Sequence, residues 1–206
     1  NLIVPKTTTK FTERNTRQFQ DIGKICAAIC SKINGNALIF FPSYYLMNSI
    51  HGFIKSKINK KIYLESKFLN KREKENFIEN FKKEKHSILL AVSSGSFGEG
   101  IDMPGVLKAV IVVGLPLSKP DLESQELIKY YDLKFGRGWD YGYVLPALTK
   151  TLQNAGRCIR REKDKGALIF LDERYANSNY YRCFPKEWDV KIENDYGEVI
   201  QNFFDN

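Results

Sequence analysis

The chain has 206 residues, 43% hydrophobic and 27% charged, which suits one α/β domain with a sizeable core and excludes a disordered or low-complexity protein. No apolar run approaches the ~20 residues that cross a bilayer as a helix, and the opening residues are not expected to act as a signal peptide. A net charge of +8 points to an anionic partner, nucleic acid or nucleotide, against the alternative of a Lys-rich surface that serves solubility.

In chain order, apolar runs of strand length alternate with longer amphipathic stretches. The strand candidates are NALIFF (36–41), KIYL (61–64), HSILLAVS (86–93), LKAVIVVG (107–114) and GALIFLD (166–172). Most are continuously apolar, as expected of strands covered on both faces. Helices are expected at about 15–33, 43–57, 70–85, 121–134 and 146–161. In the third, Asn70 and Glu73 have the spacing of a capping box, and Phe77, Ile78 and Phe81 form its apolar stripe. YYDLKFGRGWDYGY (130–143) reads as a loop or small excursion. The alternation predicts an α/β fold, a mostly parallel sheet with helices on both faces, in three layers, with ligands gathering at the carboxyl ends of the strands.

Cys26 and Cys30 stand one helical turn apart, but neither they nor Cys158 and Cys183 fall into a zinc spacing, so free thiols and no metal are expected. His51 and His86 have no evident catalytic partner.

Two stretches carry chemistry. SSGSFGEGID (93–102) contains Gly95 and Gly100 at the glycine spacing of a P-loop, but Ile101-Asp102 stands where the lysine pair belongs. Its glycines and the hydroxyls of Ser94 and Ser96 make a loop able to meet an anion. In PALTKTLQNAGRCIRR (146–161), Leu148, Leu152, Ala155 and Ile159 form one buried face. At about 100° per residue, Gln153, Arg157 and Arg160 cluster roughly 125° away. Arginine offers a planar fork that suits phosphate. The plain alternative is a solvated basic face. Gly156 inside that helix costs about 1 kcal/mol against alanine, which makes sense where another backbone or a ligand comes close.

Together, GSFGEGIDMPG and QNAGRCIRR resemble motifs V and VI of superfamily 2 helicases, in the wording of the XPD/DinG branch. ALIFFPSY (37–44) is similar to that branch's motif IV region, and VIVVGLPLSKPD (110–121) and GALIFLDERY (166–175) to its later strands and loops. The likeness weakens before about residue 10 and after about 188, and within the branch the wording resembles archaeal XPD. The chain has no GKS/T P-loop, no DEAH-type box and no set of four iron–sulfur cysteines. In the family these lie in the first motor half.

The resemblance therefore implies the second RecA-like motor domain of a 5′ to 3′ DNA helicase over 1–206, with a small aromatic, Gly-rich excursion near 130–145. ATP and Mg2+ would be shared with the first motor half, and an iron–sulfur cluster is expected only there. Arg160 is implied as the arginine finger with Arg157 bracing it, and Gln153 as a nucleotide sensor. Glu99, Gly100 and Asp102 would link nucleotide to DNA. Ser43, Tyr44, Ser94, Ser96, Phe97 and Lys119 would contact single-stranded or forked DNA, with the alternatives that Phe97 is a core residue and that Tyr44 simply begins a helix. A role in repair or transcription would bring protein partners, and the location would be cytoplasmic in a prokaryote and nuclear in a eukaryote. The competing readings are a basic α/β module that binds nucleic acid or protein without a motor role, and a Rossmann-type enzyme. The second of these lacks a dinucleotide fingerprint, since the glycines run GxxGxG.

Overall fold

A computed structural model of the chain describes residues 1–98, 103, 105–117, 120–156 and 165–205. The strands predicted from the apolar runs form as β2 (Asn36–Phe41), β3 (Lys61–Leu64), β4 (Ser87–Val92), β5 (Leu107–Val113) and β6 (Ala167–Leu171). Two further strands, β1 (Leu2–Ile3) and β7 (Lys191–Ile192), are too short to show a pattern in sequence. They are recruited by backbone pairing at the edge: Leu2 lies opposite both Ile169 and Lys191. The seven strands run in the order β3-β4-β2-β5-β6-β1-β7, every pair parallel.

Alternate residues of β1 to β6 feed two cores, while β7 is exposed. Ala37, Ile39 and Phe41 of β2 join a largely aliphatic core with α1 (Thr16–Lys32), α2 (Tyr44–Lys55) and α7 (Tyr196–Asp205). Leu38 and Phe40 join a core richer in aromatics with α3 (Lys71–Lys83) and α5 (Leu145–Ala155). Because both faces are buried, the strands need no polar alternation, which explains their continuous apolarity. At the amino ends the Asn36 amide sets the register of β2 against β4: its Oδ1 accepts from Ser87 N at 2.9 Å, and its Nδ2 donates to Glu84 O at 2.7 Å.

The helix ends follow local side-chain chemistry. Asn15 caps α1 by accepting from Gln18 N at 3.0 Å. The predicted capping box of α3 is complete, with Asn70 accepting from Glu73 N at 3.0 Å and Glu73 accepting from Asn70 N at 2.8 Å. α4 (Leu122–Phe135), capped by Asp121, buries no residue completely. The segment expected as an aromatic loop is different in the structure. Through Phe135 it completes α4, and after the turn at Gly136 it is again helical, with a π-helical stretch at Asp140–Val144 leading into α5. Gly142 permits this return: a Cβ there would lie 2.7 Å from Ile128 N in α4. The helix leaves no pattern in the sequence because its aromatics stack on one another (Tyr131, Phe135 and Tyr141) rather than marking a core stripe. A short α6 (Ser178–Tyr181) lies between β6 and β7.

Candidate functional site

The carboxyl ends of β2, β3 and β4 converge on one loop, residues 93–98. Ser93 N donates to Phe41 O at 2.9 Å, which ties the loop to the end of β2. Gly95 N then donates to Val92 O at 2.8 Å and Gly98 N to Gly95 O at 3.0 Å, folding the segment into consecutive turns. Ser94 is exposed and Ser96 half-buried, so the hydroxyls expected to meet an anion lie on the outside of those turns.

A residue that the motif reading overlooked organises this loop. Glu65, the first residue after β3, is 2% exposed. Its carboxylate accepts from Val92 N at 2.7 Å, from Phe97 N at 3.3 Å and from Tyr44 Oη at 3.0 Å. Gly95 packs directly against it, since a Cβ there would come 2.5 Å from Glu65 Oε1 and 2.9 Å from Tyr44 Oη. A glycine at 95 is required by that approach, a reason unrelated to P-loop spacing. Burial first, and then the bond to Glu65, push the Tyr44 hydroxyl up to about 12, so Tyr44 remains the donor across the neutral range. The only sequence signal for Glu65 is an acidic residue directly after a strand, which is too common to single out.

These contacts correct part of the expected DNA surface. Phe97 is 2% exposed and stacks on Phe77 of α3 with centroids 5.1 Å apart, so its ring belongs to the core and offers no face to a base. Tyr44 opens α2 and its hydroxyl is committed to Glu65. The Ser43 hydroxyl accepts from Leu46 N at 3.3 Å as the N-cap of α2. Its position after β2 is as expected, but its oxygen already has a structural partner.

The helix carrying the second motif is tied to the same loop. Leu148, Thr151, Asn154 and Ala155 form the buried side of α5. Asn154, 1% exposed, donates from Nδ2 to Ser93 O at 3.4 Å. Gln153 is exposed beside it. The two motifs, sixty residues apart in sequence, therefore meet through a side chain that the motif reading passed over. Apart from its own helix and chain neighbours, nothing among the described residues lies within 4 Å of a Cβ built at Gly156, so no other described element makes the close approach expected there. Glu99, Gly100, Ile101, Asp102, Lys119, Arg157, Ile159 and Arg160 lie outside the described residues.

A second polar cluster occupies the carboxyl ends of β5 and β6. Asp172, fully buried, accepts from Thr9 N at 2.8 Å and from Arg174 Nε at 2.8 Å, and Arg174 also donates to Thr9 Oγ1 at 2.8 Å. The Tyr175 hydroxyl, likewise buried, donates to Gly114 O at 2.8 Å. This cluster straps the segment following β1 across the top of the sheet. Among the described residues no helix is long and apolar enough to cross a membrane.

The wholly parallel sheet with helices on both faces is the RecA-like fold of helicase domains. The family profile described as Helicase C-terminal domain matches residues 26–191, and the chain belongs to that family. Its homologues are helicases of the XPD/DinG type. It is 30% identical to the Fanconi anemia group J protein homolog of Gallus gallus, over 93% of this chain and 17% of that protein. It is also 30% identical to the ATP-dependent DNA helicase YoaA of Haemophilus influenzae, over 97% of this chain and 30% of that one. The chain thus spans less than a third of the length of these relatives. Among solved structures it superimposes on an XPD helicase with a TM-score of 0.74 at 24% identity, over 93% of this chain and 34% of that one. The C-terminal domain of the DEAD-box protein Dbp5 gives 0.56 at 16% identity, over 100% and 96%. These last two likenesses are of fold.

Proposed function

We propose that this chain is the second motor half of an ATP-dependent 5′ to 3′ DNA helicase, the lobe that closes on a nucleotide and grips a single strand. The bond from Asn154 to Ser93 O carries the reading, because it joins the helix of the second motif to the loop of the first. Within the described residues the reading is supported by Gln153, which is exposed on a helix whose opposite side is anchored in the core. The polarity rests on resemblance to the family.

In this reading Gln153, Arg157 and Arg160 face the phosphates of ATP. When bound, ATP with Mg2+ supplies the phosphoryl group whose hydrolysis drives the cycle. Arg160, braced by Arg157, stabilises the charge that develops on that group. Glu99, Gly100 and Asp102 pass the state of the nucleotide to the loop. The hydroxyls of Ser94 and Ser96 hold phosphates of the strand, and Lys119 adds a further contact. The Mg2+ ligands, the phosphate-binding lysine and the iron–sulfur cluster belong to the first motor half.

The test is an ATPase assay in three steps. The chain alone shows negligible turnover; adding the first motor half restores it; Arg160→Ala then lowers it by about a thousand-fold. Helicase-like turnover by the chain alone overturns the proposal. Salt-dependent strand binding that ignores the ATP-bearing partner supports instead a binding module with no motor role.

A further inference from the structure

The aromatics expected to stack on bases are both occupied, Phe97 in the core and Tyr44 on Glu65. Other aromatics stand exposed on the same edge. Phe11, in the short 3-10 turn Phe11–Glu13 that leads to α1, is 81% exposed. Tyr45, two residues after Ser43, is 63% exposed and sits edge-on to Phe19 of α1 at 6.3 Å.

Arg14 joins them. Its Nε donates to Thr9 O at 2.9 Å, which fixes the guanidinium, and its Cζ lies 5.4 Å from the centre of the Phe11 ring. Among the described residues no carboxylate is within ion-pairing distance of Arg14: Glu13 is held by Lys10 at 3.5 Å and Asp172 by Arg174 at 2.8 Å. Partial burial lowers the pKa of Arg14, and the Arg174 guanidinium lowers it further, while Tyr45 acts in the opposite sense. The position is thus a cation set beside a second cation and flanked by exposed rings.

A guanidinium with no carboxylate offers its remaining N–H donors to an oxyanion. An exposed phenyl at a turn offers a π-face to a base, and a duplex keeps its bases stacked on each other and out of reach. We propose that Phe11, Arg14 and Tyr45 form a platform for a single-stranded nucleic acid, the two rings receiving bases and Arg14 a neighbouring phosphate. The platform rests on the proposed strand-gripping function and extends that track from the loop 93–98 across the end of β2 toward the start of α1.

The experiment is a fluorescence-anisotropy titration of the chain with labelled oligothymidylate at several salt concentrations. Phe11→Ala and Tyr45→Ala each weaken binding about tenfold and leave the salt slope unchanged. Arg14→Gln weakens it and reduces the slope of log K against log salt by about 0.7. Phe11→Trp restores binding, and a blunt duplex of the same length is insensitive to Phe11→Ala. The exposure of Phe11 makes its substitution harmless to the fold, which the unfolding midpoint verifies. If all three variants bind like the parent chain while Ser94→Glu weakens binding, the platform is refuted and the strand-gripping function stands. If the parent chain binds no single strand, both fall.

Discussion

Glu65 and Asp172 are both buried carboxylates at the carboxyl end of a strand, and they are held in opposite ways. Asp172 is matched by a cation: the Arg174 fork grips it at 2.8 Å while Thr9 donates to it from N and Oγ1. Glu65 is held by neutral donors, two backbone amides at the edge of the loop 93–98 and one phenol. A guanidinium and a carboxylate buried together lose heavily if either is removed, so the Asp172 cluster acts as a fixed strap. Hydrogen bonds from neutral donors are each worth less, so the Glu65 cluster can hold a loop in shape and still yield when the loop must move. The strap lies under the segment after β1, and the adjustable brace lies under the proposed grip on DNA.

The largest expected effect breaks the strap. Asp172→Asn leaves Arg174 with no countercharge and should cost about 3 kcal/mol, measured by urea unfolding. A loss below about 1 kcal/mol would show that the pair adds little beyond its packing. Glu65→Gln should cost about 2 kcal/mol, since one oxygen still accepts while the amide nitrogen has only donors to face. It should also weaken single-strand binding, an effect that Asp172→Asn at matched folded fraction lacks. Equal effects of the two variants on binding would erase the distinction between strap and brace. Asn154→Ala should cost about 1 kcal/mol in stability and, in the assembled motor, reduce the stimulation of ATPase by DNA more than the basal rate. An unchanged ratio of stimulated to basal rate removes the proposed link between the motifs.

The smallest effect is on the alkaline side. Burial raises the Cys30 thiol from 9.0 to about 12, and burial with the Glu65 bond raises the Tyr44 hydroxyl from 10.0 to about 12. Both groups keep their protons in the folded chain at pH values where the unfolded chain has released them. Stability is therefore full below about pH 9 and declines as pH rises toward 12. Tyr44→Phe and Cys30→Ala should each flatten that decline in thermal melts recorded between pH 8 and 11. A decline just as steep in the double variant would place its origin elsewhere.

Much of the architecture is legible in the sequence alone. NALIFF and KIYL became β2 and β3 with the predicted bounds, and Asn70 and Glu73 closed the predicted capping box, because burial on two faces and capping are local in sequence. The helix that returns along α4 was not legible, because Gly142 and the stacked tyrosines read as loop composition until they meet Ile128 and Phe135. Phe97 shows the same limit at the site. Its position in the motif placed it at the edge of the sheet, but only packing against Phe77 assigned its ring to the core.

The sequence by itself determined the α/β alternation, the positive charge and the two stretches that resemble helicase motifs. All of these are carried by residue type and spacing along the chain. Only the tertiary structure decided which groups serve those motifs. Glu65 and Asn154 take their roles from backbone amides and a carbonyl on other elements, and Phe11 and Arg14 take theirs from a turn stretched across the strand ends. Such partners are chosen by the order of strands in the sheet, which brings distant residues to one edge, and no local pattern records that order.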